Sequence, residues 1–271
     1  MRTRIIGTAA IGLAVAVVGA TPAFAADEAQ LSVLHGVPGL TVDVYVNGDL
    51  TLDNFEPGDL AGPLALPAGT YTVAITAADA ADDSAPAIGP VDLPLAANGN
   101  YTAVAHLDAA GAPTATLFTN DISTTTAGQG RLTVRHVAAA PAVDVLAGGT
   151  AVISGLENPK ESILNLAPGT ISAAVAAAGT TAPVIGPADV TVTEGVNTIV
   201  YAWGSLSADN LALAVQTISG LHSAPTGVPS GELGLADDSS SAAAWLAAAA
   251  LLAAGGAALV VRRRATAAVN D

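Results

Sequence analysis

The chain uses one stretch twice. Leu31 to Gly48 reads LSVLHGVPGLTVDVYVNG, and Leu132 to Gly149 reads LTVRHVAAAPAVDVLAGG. An offset of 101 residues, without a gap, places Leu31 on Leu132, Val33 on Val134, His35 on His136, Asp43 on Asp144, Val44 on Val145 and Gly48 on Gly149. Apolar residues recur at every second position in both copies. That period belongs to a strand with one face on a core, not to a helix. A repeat of about 100 residues has the size of an ordinary domain.

The strand period continues down the chain. In the first copy, strands are expected over Leu31–His35, Thr41–Val46, Thr70–Thr76, Val91–Leu95, Tyr101–Leu107 and Thr114–Thr119. Gly36-Val37-Pro38-Gly39, Asn47-Gly48 and Asn98-Gly99-Asn100 mark turns, and Gly58–Pro67 reads as turn-rich. Ala77–Ala87 reads as a polar loop. The second copy keeps the order: Leu166–Thr170 answers Leu66–Thr70, and Ile185-Gly186-Pro187 answers Ile88-Gly89-Pro90. The offset drifts from 101 to 96, so insertions and deletions fall between strands, where loops absorb them. About seven short strands per hundred residues point to an all-β fold of two tandem Ig-like β-sandwich modules. The expected organisation is 26–123 first module, 124–130 (TTTAGQG) linker, 131–218 second module and 219–241 an acidic Gly/Pro/Ser stalk.

The ends read differently. Residues 1–25 have Arg2 and Arg4, then the apolar run Ile5–Ala20, then Ala23-Phe24-Ala25, the layout of a cleaved signal peptide. Residues 242–261 carry no charge and are followed by Arg262-Arg263-Arg264 in a basic tail, 262–271. About 20 apolar residues span a bilayer, and the arginines orient the tail to the cytoplasm. Trp245 falls near the outer boundary. The expectation is a single transmembrane helix with an extracellular ectodomain. Leu235-Ala236-Asp237-Asp238-Ser239 begins like a cell-wall sorting motif but has Asp238 and Ser239 at the Thr-Gly scissile pair, which favours a plain membrane anchor.

Between these ends stand 22 acids and three bases, Arg131, Arg135 and Lys160. Such a surface repels nucleic acid, so no nucleic-acid partner is expected. It keeps a protein soluble and suits a basic partner or loosely held cations. The absence of cysteine excludes disulfides, thiolate metal sites and cysteine nucleophiles.

His35 and His136 are the sharpest repeated polar residues. As ligand or base each needs partners, and neither has another histidine nearby in sequence; the others are His106 and His222. Alternation sets each on the face of its neighbouring core residues, which favours a buried imidazole bonded to a loop backbone. Asp43 and Asp144 lie between two core-facing valines and are expected on the outer face, either solvated or bonded to a turn amide. Asp79, Asp82 and Asp83 share one loop, and Asp53, Glu56 and Asp59 another; loop carboxylates are calcium ligands, but neither loop has EF-hand spacing. Tyr45, Tyr71 and Trp203 would have to converge to form a sugar platform. No G-x-S-x-G elbow, phosphate loop or H-E-x-x-H is present. The reading is therefore no enzyme, no catalytic, cofactor-binding or metal residues, and no cofactor.

The pairing of LSVLHGVPGLTVDVYVNG with the later LPAGTYTVAI resembles the bacterial family called domain of unknown function 4397. The resemblance covers about Gln30–Gly220 and is stronger in the first copy, since the second has Ala147-Gly148 for Val46-Asn47 and Ile171 for Tyr71. It implies a secreted or surface protein of actinobacteria or other bacteria and carries no catalytic residues. The expected function is a structural or interaction role at the cell envelope with an envelope or extracellular protein partner. The alternatives are a module binding divalent cation or envelope glycan and, least favoured, a hydrolase.

Overall fold

The computed structural model describes residues 28–223. The expected signal peptide, the membrane segment, the basic tail and nearly all of the stalk lie outside these residues. Among the described residues there is no helix, and hence none long and apolar enough to cross a membrane.

The first module holds eight strands: β1 (Glu28–Gly36), β2 (Val42–Val46), β3 (Asp49–Phe55), β4 (Leu60–Pro67), β5 (Gly69–Ala77), β6 (Ile88–Leu95), β7 (Asn100–Leu107) and β8 (Pro113–Thr119). The second repeats them as β9 (Gly130–Ala139), β10 (Val143–Ala147), β11 (Thr150–Leu156), β12 (Lys160–Leu166), β13 (Gly169–Ala177), β14 (Pro183–Val192), β15 (Asn197–Ser205) and β16 (Ala212–Ile218). In each module two four-stranded sheets face one another. Their orders are β4-β1-β7-β8 and β3-β2-β5-β6, then β12-β9-β15-β16 and β11-β10-β13-β14. The all-β sandwich is the expected architecture; the strand count is higher, and β1 and β9 run parallel to β7 and β15 at the sheet centres.

The additional strands have a physical explanation. Gly58–Pro67 reads as turns because of its glycines and prolines, yet Leu60–Pro67 is the edge strand β4. A proline without an N–H is tolerated at an edge, and Gly62, at φ 99°, sits where the register against β1 shifts between Leu31 and Val33. A Cβ on Gly62 would lie 2.7 Å from the Leu31 carbonyl oxygen, so this close approach requires glycine.

Each sandwich has its own aliphatic core. Leu31, Val33, Val42, Val44, Ile75 and Leu93 are central to the first, and Leu132, Val134, Val143, Val145, Val175 and Val190 to the second. A third cluster joins the two modules: Leu34, Val104 and Phe118 from the first pack with Val137, Ile199, Tyr201 and Trp203 from the second. The outer faces of the β1 and β9 sheets are thus turned on each other. Residues 28–223 fall within one compact unit with its own cores, which is what independent folding requires.

The segment between the modules is tied down rather than loose. Thr125 N–H donates to the Leu221 carbonyl at 2.7 Å, and Leu221 N–H donates to Gly195 O at 2.9 Å. Leu221 is buried. The sequence puts Ser219 onward in the stalk, but the second module extends to His222, which forms a bridge with Thr125.

Candidate functional site

The repeated histidines and aspartates occupy equivalent, buried positions. Alternation carries His35 inward with Leu31 and Val33, and its ring stacks on Phe55 with centroids 5.9 Å apart. His35 Nε2 donates to the Leu40 carbonyl at 2.7 Å, and His136 Nε2 donates to Pro141 O at 3.0 Å. Each imidazole closes the loop between the first two strands of its module. Burial holds both below the ordinary histidine value, against the opposing pull of those carbonyls. Both are therefore neutral near pH 7, with the proton on Nε2.

Asp43 and Asp144 leave the core face, as alternation requires, but neither is solvated. Both are buried. Asp43 Oδ1 accepts from Asn54 N–H at 2.8 Å. Asp144 accepts from Gly155 N–H and Gly179 N–H, each at 2.8 Å. Asn54 and Gly155 have φ of 53° and 66° and lie in the bulges where the β2–β3 and β10–β11 registers shift. A bulge frees an amide from the ladder, and the aspartate captures it. The adjacent strand covers the carboxylate, which is why a position facing away from the core is not exposed.

The loop acids converge in part. Tyr45 is held above its ordinary value by desolvation and by the negative fields of Asp43, Asp83, Asp82 and Asp53, so these carboxylates share its surroundings. Asp82 is pulled below its ordinary value by its hydrogen bonds with Ser84. Glu56 and Asp59 lie apart, beside His35, where Asp59 O accepts the His35 N–H at 3.0 Å. Among the described residues no group of three or more histidine and acidic side chains is arranged to hold a metal ion. The aromatics do not converge either. Tyr71 packs on the first core, Tyr45 stands on the opposite face of its sheet, and Trp203 is buried between the modules.

The most elaborate polar construction is one that sequence reasoning missed. Arg135 on β9 is fully buried at the seam. Its Nε meets Glu161 Oε2 at 2.7 Å, its Nη1 donates to Tyr201 Oη at 2.8 Å, and its guanidinium carbon lies 4.3 Å from the Phe118 ring centroid. Tyr201 Oη donates on to Gln216 Oε1 at 2.6 Å, which also accepts from Thr102 Oγ1 at 3.0 Å. Gln216 Nε2 donates to Ser32 Oγ at 3.1 Å. Burial raises the Tyr201 value, the nearby guanidinium notwithstanding, and keeps the phenol a donor. The chain of bonds thus runs from Glu161 in the second module to Ser32 and Thr102 in the first.

Both ends of this seam are pinned. At one, Arg131 pairs with Asp121 at 3.2 Å and donates to the Ser123 carbonyl at 3.1 Å. Although burial alone would raise Asp121, its bonds with Ser123 and the charge of Arg131 leave it below the ordinary carboxylate value. At the other, Asn158 Nδ2 donates to Leu107 O at 2.9 Å in the first module and to Ala138 O at 2.6 Å in the second. Trp203 reaches over the glycines of the first module. A Cβ added to Gly58 would lie 3.1 Å from the indole, and one on Gly36 would lie 3.4 Å from the Trp203 Cβ.

A signal for this seam is present in the chain. Asn197–Ser205 is buried along its whole length, and its NTIVYAWGS run has apolar residues on both faces. A strand that does not alternate is covered on both sides. Arg131 and Arg135 occupy alternate positions of β9, opposite to its core residues, and account for two of the three bases of the ectodomain.

The paired sandwiches, with a histidine-closed loop and an aspartate-held bulge in each, define a duplicated β-module. The family model for "Domain of unknown function (DUF4397)" matches residues 29–146. This is the family that the doubled motif resembles, and the match spans the first module and the opening strands of the second. No curated protein matches the chain.

Proposed function

We propose that this is an exported cell-envelope protein in which two Ig-like modules act as one rigid, non-catalytic body with a structural or interaction role. The observation that carries this is the seam. It spends buried Ser32, Thr102, Arg135 and Gln216 on joining the modules, and it removes Arg131 and Arg135 from the surface. Lys160 is then the one exposed base of residues 28–223, against 16 acidic residues that are not buried. The exterior suits a basic partner in the envelope or outside the cell, and it disfavours nucleic acid. Residues 1–25 export the chain in this reading. Residues 242–261 hold it in the membrane with Arg262–Arg264 on the cytoplasmic side. Cell-wall attachment is disfavoured by Asp238-Ser239 in the sorting-like motif.

The test is made on intact cells. Protease added outside should remove the modules and leave a tag at the C-terminus protected, and truncation after Ser241 should release the protein into the medium. Proximity labelling from the ectodomain should recover an envelope or extracellular protein. Retention of the modules in the cytosol would overturn the reading.

A further inference from the structure

The first sandwich is hollow where the second is filled. A cavity of about 250 Å³ lies between its sheets, against about 30 Å³ at the corresponding place in the second. Strand register shows which residues differ. Ala103 and Ala115 stand where the second module has Val200 and Leu213. On the facing sheet the exchange runs the other way, with Val73 and Val91 for Ala173 and Ala188. The second copy places bulk on the central sheet and closes; the first places it on the outer sheet and does not.

The cavity also has an edge. In the second module β11 and β12 approach one another, and in the first β6 and β8 close one side. At the β3–β4 side the lining includes Leu64 and Leu66 together with Asn47, Asp49 and Thr51, which are exposed. Elsewhere the wall is aliphatic. Protein interiors are normally close-packed, and an enclosed apolar space of about 150 Å³ already takes up benzene. Facing sheets stand about 10 Å apart, so the space between them is a slab that fits a linear chain better than a fused ring system.

We propose that the first module binds an uncharged amphipathic molecule. Its alkyl or acyl chain lies between the sheets, and its hydroxyl or amide head sits at Asn47 and Thr51. Asp49 at the same edge disfavours a carboxylate head, so a free fatty acid is the wrong ligand. The second module has no room for the chain. The proposal is independent of the envelope role above.

The test uses the compact unit, residues 26–223, titrated with 1-decanol by calorimetry and followed by methyl NMR at Ala103 and Ala115. Saturable one-to-one binding with a negative heat-capacity change is expected. Ala115→Leu should weaken it at least tenfold while raising the melting temperature of the ligand-free protein. Decanoate should bind at least tenfold more weakly than decanol, and Asp49→Asn should narrow that gap. If Ala115→Leu does not fold, Ala103→Val supplies the same reading. Absence of saturable decanol binding, or undiminished binding by the filled variant, would overturn the proposal.

Discussion

The guanidinium of Arg135 in the second module lies over the ring of Phe118 in the first, 4.3 Å from its centroid, with no solvent between the modules at that point. One charged side chain thus touches a ring of the first module while bonding Tyr201 and Glu161 of its own. Removing it leaves the Tyr201 hydroxyl without its donor and Glu161 without its cation. Arg135→Ala should destabilise the unit by about 2–3 kcal/mol, the cost of leaving the buried Tyr201 hydroxyl short of a partner and losing a charge-assisted bond to Glu161, whose side chain is 30% exposed. Chemical denaturation measures this. A cycle with Phe118→Leu should return a coupling of about 1–2 kcal/mol for a desolvated cation–π contact, and a coupling near zero would remove Phe118 from the account.

Asp144 serves the bulge amide of Gly155 and the turn amide of Gly179, and Asp43 the single bulge amide of Asn54. A hydrogen bond to a charged group contributes about 1.5–3 kcal/mol. Asp144→Ala should therefore cost more than Asp43→Ala in urea melts, with Asn substitutions milder at both sites. Equal losses would show that the aspartates are not acting through these amides.

The three buried histidines set a pH limit. His35, His106 and His136 all titrate below the ordinary 6.5, chiefly through burial. The unfolded chain therefore takes up their protons first as pH falls. Stability should be level above about pH 6.5 and decline below it as the unfolded state gains protons that the folded state refuses. Melting temperatures between pH 8 and 5 test the sign. His106→Gln, which keeps a donor and an acceptor for Leu107 O and Thr116 Oγ1, should flatten part of the slope.

Trp203 reports the seam, since it is the one tryptophan of residues 26–223 and is buried between the modules. Its emission should be blue-shifted in the folded unit. Gly58→Ala adds a Cβ at φ 93° against the indole and should cost about 1–3 kcal/mol, with the emission moving red before the cores melt. Simultaneous loss of fluorescence and β-sheet signal would show that the seam does not open separately.

What the chain discloses is the alternation of polar and apolar residues along a strand, not what covers the polar face. The β1 and β2 strands, the Asn47-Gly48 hairpin and the inward direction of His35 follow from simple alternation. The seam is not legible that way: β15 is apolar on both faces, whereas on β9 the polar Arg131, Thr133 and Arg135 alternate as a solvated face would and are nonetheless buried. The β4 strand was hidden by Gly62 and Pro63, residues that mark turns in most settings and an edge strand here. The burial of Asp43 depends on a bulge in the neighbouring strand, a long-range register feature that leaves no local mark on Asp43 itself.

Strand register also shows how far the copies have diverged where they meet. The central pair Leu34 and Val104 of the first module corresponds to Arg135 and Tyr201 in the second, and Phe118 corresponds to Gln216. The two faces are thus halves of a lock rather than mirror images. By these correspondences two first copies would set Leu34 against Phe118 with no cation, and two second copies would set Arg135 against Gln216 with no ring. Neither face matches a copy of itself as it matches the other, so removing either module would lay bare side chains that the pair keeps buried.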